Sequence, residues 1–95
     1  LVVGILNITL YIGGMTSLKD KRSVVKSILS KVRAKFNVSA AETGRQDDWK
    51  NCEMGFSCVS NEASHADSML ASIIRFVESD PRVEITDICS ETIPV

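Results

Sequence analysis

Ninety-five residues, 44% of them hydrophobic and 24% charged, describe one ordinary folded domain spanning residues 1–95, with room for a single two-layer core. No apolar run approaches the roughly 20 residues of a membrane-crossing helix, so a membrane partner is not expected. The net charge of −1 hides a division: Ser17 to Phe36 holds seven cations and one anion, a balance of +6, and the remaining residues therefore sum to −7.

Val2 to Ile12 reads as a strand, because Leu6, Ile8, Leu10 and Ile12 alternate with Asn7, Thr9 and Tyr11. No cationic segment precedes it, so a signal peptide is not expected. Gly13 and Gly14 mark a turn. Ser17 suits an N-cap, with Asp20 three residues on to complete a box-like arrangement. Val25, Ile28, Leu29, Val32 and Phe36 then recur at helical spacing, and Asn37 is placed to cap the end, predicting a helix over Leu18–Lys35. Its first turn is anomalous. In "SLKDKR", Lys19, Lys21 and Arg22 crowd the end where the helix dipole disfavours positive charge, at about 0.3–1 kcal/mol for an exposed group.

Val38–Thr43 is a second, weaker strand, followed by a polar turn, "GRQDDWKN". Cys52, Met54, Phe56 and Cys58 alternate with Glu53, Gly55, Ser57 and Val59 as a third strand. Ser60 or Asn61 caps a second helix with Glu62 in its first turn. That helix buries Ala66, Met69, Leu70, Ile73 and Val77 and ends near Ser79, because Pro81 cannot continue it. Val83–Ile93 is the last strand, and its alternation shifts around Thr86–Asp87, predicting a bulge. The order β-α-β-β-α-β belongs to the α+β class and the ferredoxin-like split βαβ fold. Right-handed crossovers give a four-stranded antiparallel sheet in the order 4-1-3-2, with both helices on one face and the other face open.

This topology gathers the first loop, the hairpin between strands two and three, and the entry to strand four at one end. Ser17, Lys19, Lys21, Arg22 and Lys26 of the first helix are therefore expected to share a rim with Arg45, Trp49, Lys50 and Arg82. A phosphate there would reverse the sign of the dipole penalty and use the free N–H groups of the helix start. Trp49 could stack on a base. Asp20, Asp47, Asp48 and Asp80 occupy the same end, so an ordinary solvated surface also accounts for these charges. On the open face, Val3, Ile5, Val59 and Ile93 are expected to cluster as an apolar patch that a face-to-face homodimer would cover. Mid-strand positions there offer Asn7, Thr9, Gly55 and Ser57 instead of aromatic rings, which argues against RNA stacking across the sheet.

Cys52 and Cys58 share one strand, roughly 20 Å apart, too far to bridge. Either could meet Cys89 across the sheet, but the pattern reads as reduced structural thiols in a reducing, cytoplasmic setting. His65, the only histidine, falls at the end opposite the basic loops. Glu42 and Glu53 lie on one hairpin and could approach each other, yet paired carboxylates without a nucleophile or metal are thin support for acid–base work. No phosphate-binding glycine loop or zinc spacing is present. No catalytic residue, metal site or cofactor is assigned.

The strings "SLKDKR", "VRAKFNVSAAE", "DDWKN" and "VSNEASHADSML", in this order, resemble the YlxP-like bacterial family, domain of unknown function 503. The likeness runs from "VVGILNITLYI" through "FVESDPRVEITD". It implies a small cytoplasmic ferredoxin-like protein without established catalytic residues. Family members often lie in gene neighbourhoods with translation initiation and ribosome-maturation factors, which implies RNA or the ribosome as partner. Ser17, Leu18, Lys19, Lys21 and Arg22 match the family's basic pattern and Trp49 its tryptophan. Cys52, Cys58 and Cys89 are departures. The sequence thus points to a non-enzymatic RNA- or ribosome-associated module, with a dimerisation module or a small-molecule sensor as alternatives.

Overall fold

The computed structural model describes residues 1–95 as β1 (Val2–Ile12), α1 (Leu18–Lys35), β2 (Ser39–Gly44), β3 (Asn51–Ser60), α2 (Ala63–Glu78) and β4 (Val83–Pro94). The strands form one antiparallel sheet in the order β2-β3-β1-β4, which is the predicted ferredoxin-like arrangement. Alternation along β1 and β3 turns Leu6, Ile8, Leu10 and Ile12, with Cys52, Met54, Phe56 and Cys58, toward the helices. These eight side chains meet Val25, Ile28, Leu29 and Val32 of α1 and Ala66, Leu70, Ile73 and Val77 of α2 in one core. Gly4 completes the fit. A Cβ there would stand 2.9 Å from Cys58 Sγ and 3.3 Å from a Leu70 methyl, so the missing side chain lets α2 lie close on β1.

Two register shifts decide which side chains face which way. In β4, Asp87 pairs with Thr9 and Ile85 with Leu10, leaving Thr86 as the extra residue. Its hydroxyl donates to the Thr9 carbonyl at 3.2 Å. This is the predicted bulge, and it turns Asp87, Cys89, Glu91 and Ile93 to the open face beside Thr9, Asn7, Ile5 and Val3. The second shift, which the sequence reading did not anticipate, leaves Thr43 extra between Glu42, opposite Met54, and Gly44, opposite Glu53.

The ends of the elements differ from expectation in small ways with clear causes. Ser17 is the α1 N-cap, its hydroxyl accepting the Asp20 N–H at 3.1 Å. Asp20 then reaches back to the Thr16 hydroxyl at 2.6 Å. Phe36, not Asn37, closes α1: its N–H donates to the Val32 carbonyl at 2.8 Å while its backbone turns extended. Its ring packs on Phe76. Glu62, not Ser60 or Asn61, is the α2 N-cap, because β3 stays extended through Ser60. The Ser60 hydroxyl instead accepts the Glu62 N–H at 3.1 Å.

Candidate functional site

The anomalous first turn of α1 has a structural answer at one residue. Lys21 is not on the rim; its side chain is fully buried. Its Nζ donates to the Arg45 carbonyl at 2.5 Å and lies 3.4 Å from Glu42 Oε2. The register of β2 makes this pairing, since Glu42 sits opposite Met54 and so faces the helices. The Cys52 thiol donates to the same carboxylate at 3.6 Å. Burial, reinforced by Glu42, pushes that thiol up to about 12. Lys21 thus ties the start of α1 to the β2–β3 hairpin and holds Arg45, whose φ of 60° lies in the left-handed region. The expected anion contact at Lys21 is corrected. A carboxylate and a carbonyl from the protein itself, not a phosphate, offset this cation.

A sequence signal for this burial existed. Leu18, Lys21, Val25, Ile28 and Val32 follow one helical stripe, and Lys21 occupies an apolar position in it. Glu42 and Glu53, expected to be able to approach each other, face opposite sides of the sheet. Glu53 lies opposite Thr9 on the open face, 3.6 Å from Arg45 Nε.

The remaining rim residues fall into three groups. Lys19, Arg22 and Lys26 are exposed along α1. At the hairpin, Arg45 turns to Glu53, Lys50 offers its carbonyl to the Ile12 N–H at 2.7 Å, and Trp49 is 48% exposed. Asp48 shapes this turn by accepting the N–H groups of Lys50 at 2.8 Å and Asn51 at 3.1 Å. The Lys50 hydrogen bond, first among several, holds its carboxyl below the usual 3.8. Arg82 lies on another flank of α1. It pairs with Asp80 at 2.6 Å and donates to Ser27 Oγ at 3.2 Å, more than a turn beyond Arg22. Hydrogen bonding between the two lowers the Asp80 carboxyl and raises the Arg82 guanidinium. One convergent rim is therefore corrected to a basic helix with two separate neighbours.

The basic surface runs the length of α1. Lys19, Arg22, Lys26, Lys31, Arg33 and Lys35 are all exposed. The three ion pairs of the molecule engage Lys21, Arg45 and Arg82 and none of these six. Lys19, Arg22, Lys26 and Arg33 follow a single stripe about 21 Å long at the helical rise. The opposite layer is the reverse. Glu53, Asp87 and Glu91 lie on the open sheet face opposite or beside Thr9 and Ile5, and no lysine or arginine sits on its strands.

On that open face, Val3 stands directly opposite Val59 in β3 and Ile93 in β4, forming a row of three, with Ile5 two residues along β1. The predicted patch is thus assembled by register, and Val59 is 70% exposed. Cys89 faces this side, whereas Cys52 and Cys58 are buried beneath the helices, and all three thiols are free. At the far end, the Ser60 hydroxyl and His65 Nδ1 lie 3.1 Å apart, with no carboxylate bonded to the imidazole.

The model of the family described as protein of unknown function DUF503 matches residues 3–89. The chain belongs to the DUF503 family. A relative of this DUF503 chain, the uncharacterized protein YlxP of Bacillus subtilis (strain 168), is 41% identical over 70 residues, which are 74% of this chain and 76% of the relative. Among solved structures, a dimeric ferredoxin-like protein of unknown function from Thermobifida fusca YX aligns with 98% of this DUF503 chain and 92% of its own, at 14% identity and a TM-score of 0.41. No helix is long and apolar enough to cross a membrane.

Proposed function

We propose that this protein is a non-enzymatic binding module for RNA, free or within the ribosome, and that it docks through the outer face of α1. One observation carries this reading: six exposed cations on one helix form no ion pair within the protein. Asp20 and Asp80 offset Lys19 and Lys31 only in part and without a close ion pair, and a phosphate backbone relieves the remaining repulsion while releasing counterions. Lys19 and Arg22 also lie in the first turns, where free N–H groups favour an anion. The open sheet face, whose strands carry no lysine or arginine and which presents no mid-strand aromatic, is unsuited to this role. The rim residues Arg45, Trp49 and Lys50 are placed to extend contact beyond the helix start.

The test is fluorescence anisotropy with a labelled single-stranded RNA, titrated at several salt concentrations. With four phosphate contacts, the slope of log affinity against log salt should be about −3. Replacing Lys19, Arg22 and Lys26 together with Gln should reduce the slope by about 2 and weaken binding at every RNA sequence. Unchanged affinity in the triple variant overturns the reading.

The row Val3, Val59 and Ile93 favours a second reading for the other layer, in which the open face pairs with a second copy. Val3→Glu should convert a sedimenting dimer to monomer. A wild-type chain that sediments as a monomer at high concentration removes this reading.

A further inference from the structure

Arg33 donates to the Ala40 carbonyl at 2.5 Å, linking α1 to β2, while Gly4 lets α2 settle on β1. Two adjoining hollows between the C-terminal halves of α1 and α2 share Phe76 and Ser79 and together form a groove. Ile28 and Val77 line it at one end and Phe76 runs through it. The Phe76 ring is partly exposed and held edge-to-face by Phe36, at 5.8 Å between centroids and 77° between planes. Lys31 and Lys35 border the groove from α1, Arg75 from α2, and Arg82 from the loop beyond. Asp80 is the one anion among the lining residues, and Arg82 already neutralises it through Nε and Nη2.

We propose that this groove is a nucleobase cleft that takes one unstacked base of single-stranded RNA, with Phe76 as the platform and Lys31, Lys35 and Arg75 holding the flanking phosphates. The inference rests on the RNA reading above and names how that surface selects its ligand. The particular clue is Lys35, whose Nζ stands 4.9 Å from the Phe76 centroid. In the free protein its ammonium occupies the ring by a cation–π contact. A phosphate draws the ammonium aside, and the base takes its place, since stacking on an aromatic ring outweighs an exposed cation–π contact. An acidic peptide would engage the cations but leave the ring unfilled. A base joined to a phosphate satisfies both.

The experiment compares a 12-nucleotide oligoadenylate RNA with an abasic ribose-phosphate strand of equal length and with polyglutamate, all by anisotropy. Wild type should bind the RNA more tightly than either control. Phe76→Leu, which keeps an apolar side chain above Ile28 and Val77, should lower RNA affinity about ten-fold, the value of one stacked base, and leave abasic binding unchanged. Phe76→Trp in a Trp49→Phe background provides a second readout, and its emission should be quenched by the RNA and not by the abasic strand. Equal RNA affinity in wild type and Phe76→Leu, parallel losses for both strands, or absence of selective quenching overturns the cleft. Should the Lys19, Arg22 and Lys26 variant still lose RNA in that case, the helix reading stands while the cleft falls. A wild type that binds neither strand overturns both.

Discussion

The buried Lys21–Glu42 pair makes a prediction that separates charge burial from ordinary surface chemistry. Glu42→Leu leaves an ammonium fully out of solvent with the Arg45 carbonyl as its remaining partner. Removing one member of a buried pair typically costs about 3–5 kcal/mol. Lys21→Met removes the ammonium itself. It forfeits a charged hydrogen bond of about 1.5–3 kcal/mol, but it also removes the desolvation burden of the cation. The Glu42 side chain left behind is 19% exposed and keeps the Cys52 thiol as donor. About 2 kcal/mol is expected for this variant. The double variant replaces both charges with apolar groups and should be more stable than Glu42→Leu alone, a coupling seen only when the two charges face each other. A domain of this size holds roughly 5–14 kcal/mol in total, so each effect is a large fraction. Urea denaturation followed by circular dichroism measures them. At an m-value of about 1–2 kcal/mol/M, the Lys21→Met midpoint should fall by about 1–2 M. If Glu42→Leu costs less than Lys21→Met, or if the double variant shows simple additivity, the ammonium is not held as described.

Thiol accessibility should divide the cysteines by layer. Iodoacetamide at pH 8 should add one group, at Cys89, to the native protein and three in denaturant, counted by mass spectrometry; rapid native labelling of Cys52, whose thiol lies near 12, would contradict its burial. Acid should destabilise the fold. Asp20, held down chiefly by Thr16, together with Asp48 and Asp80, has a folded-state carboxyl below 3.8, so its contribution is complete above that value and is lost as pH falls through the lower folded one. Thermal melts from pH 5 to pH 2 should therefore show a falling midpoint, and Asp80→Asn should flatten that fall. Gly4→Val should loosen α2, because even its Cβ meets Cys58 and Leu70. A lowered melting temperature is expected, with Cys58 newly open to iodoacetamide.

The fold was legible because its signals are local. Period-two alternation in β1 and β3, helical spacing in α1 and α2, and the parity change at Thr86 each lie within a few residues. The topology follows from their order. The basic surface was legible in composition, as the excess of cations between Ser17 and Phe36. What escaped was which cations stay in solvent. Lys21 reads as one charge among several until Glu42 arrives from 21 residues away, facing inward by its register opposite Met54. Arg82 shares an end of the fold with Arg22, but Asp80 and Ser27 direct its guanidinium to a different flank. The groove at Phe76 escaped for a similar reason. Phe36 and Phe76 are 40 residues apart and meet only when both helices are packed on the sheet.

The separation of charge between the two layers gives the molecule an up and a down. Near any negatively charged scaffold, the torque on this lopsided distribution presents the helices first and leaves the strands looking outward. In the proposed dimer, the second copy meets Val3, Val59 and Ile93 from the vacant side, without competition from the scaffold. The two proposed contacts are thereby uncoupled, one to each layer.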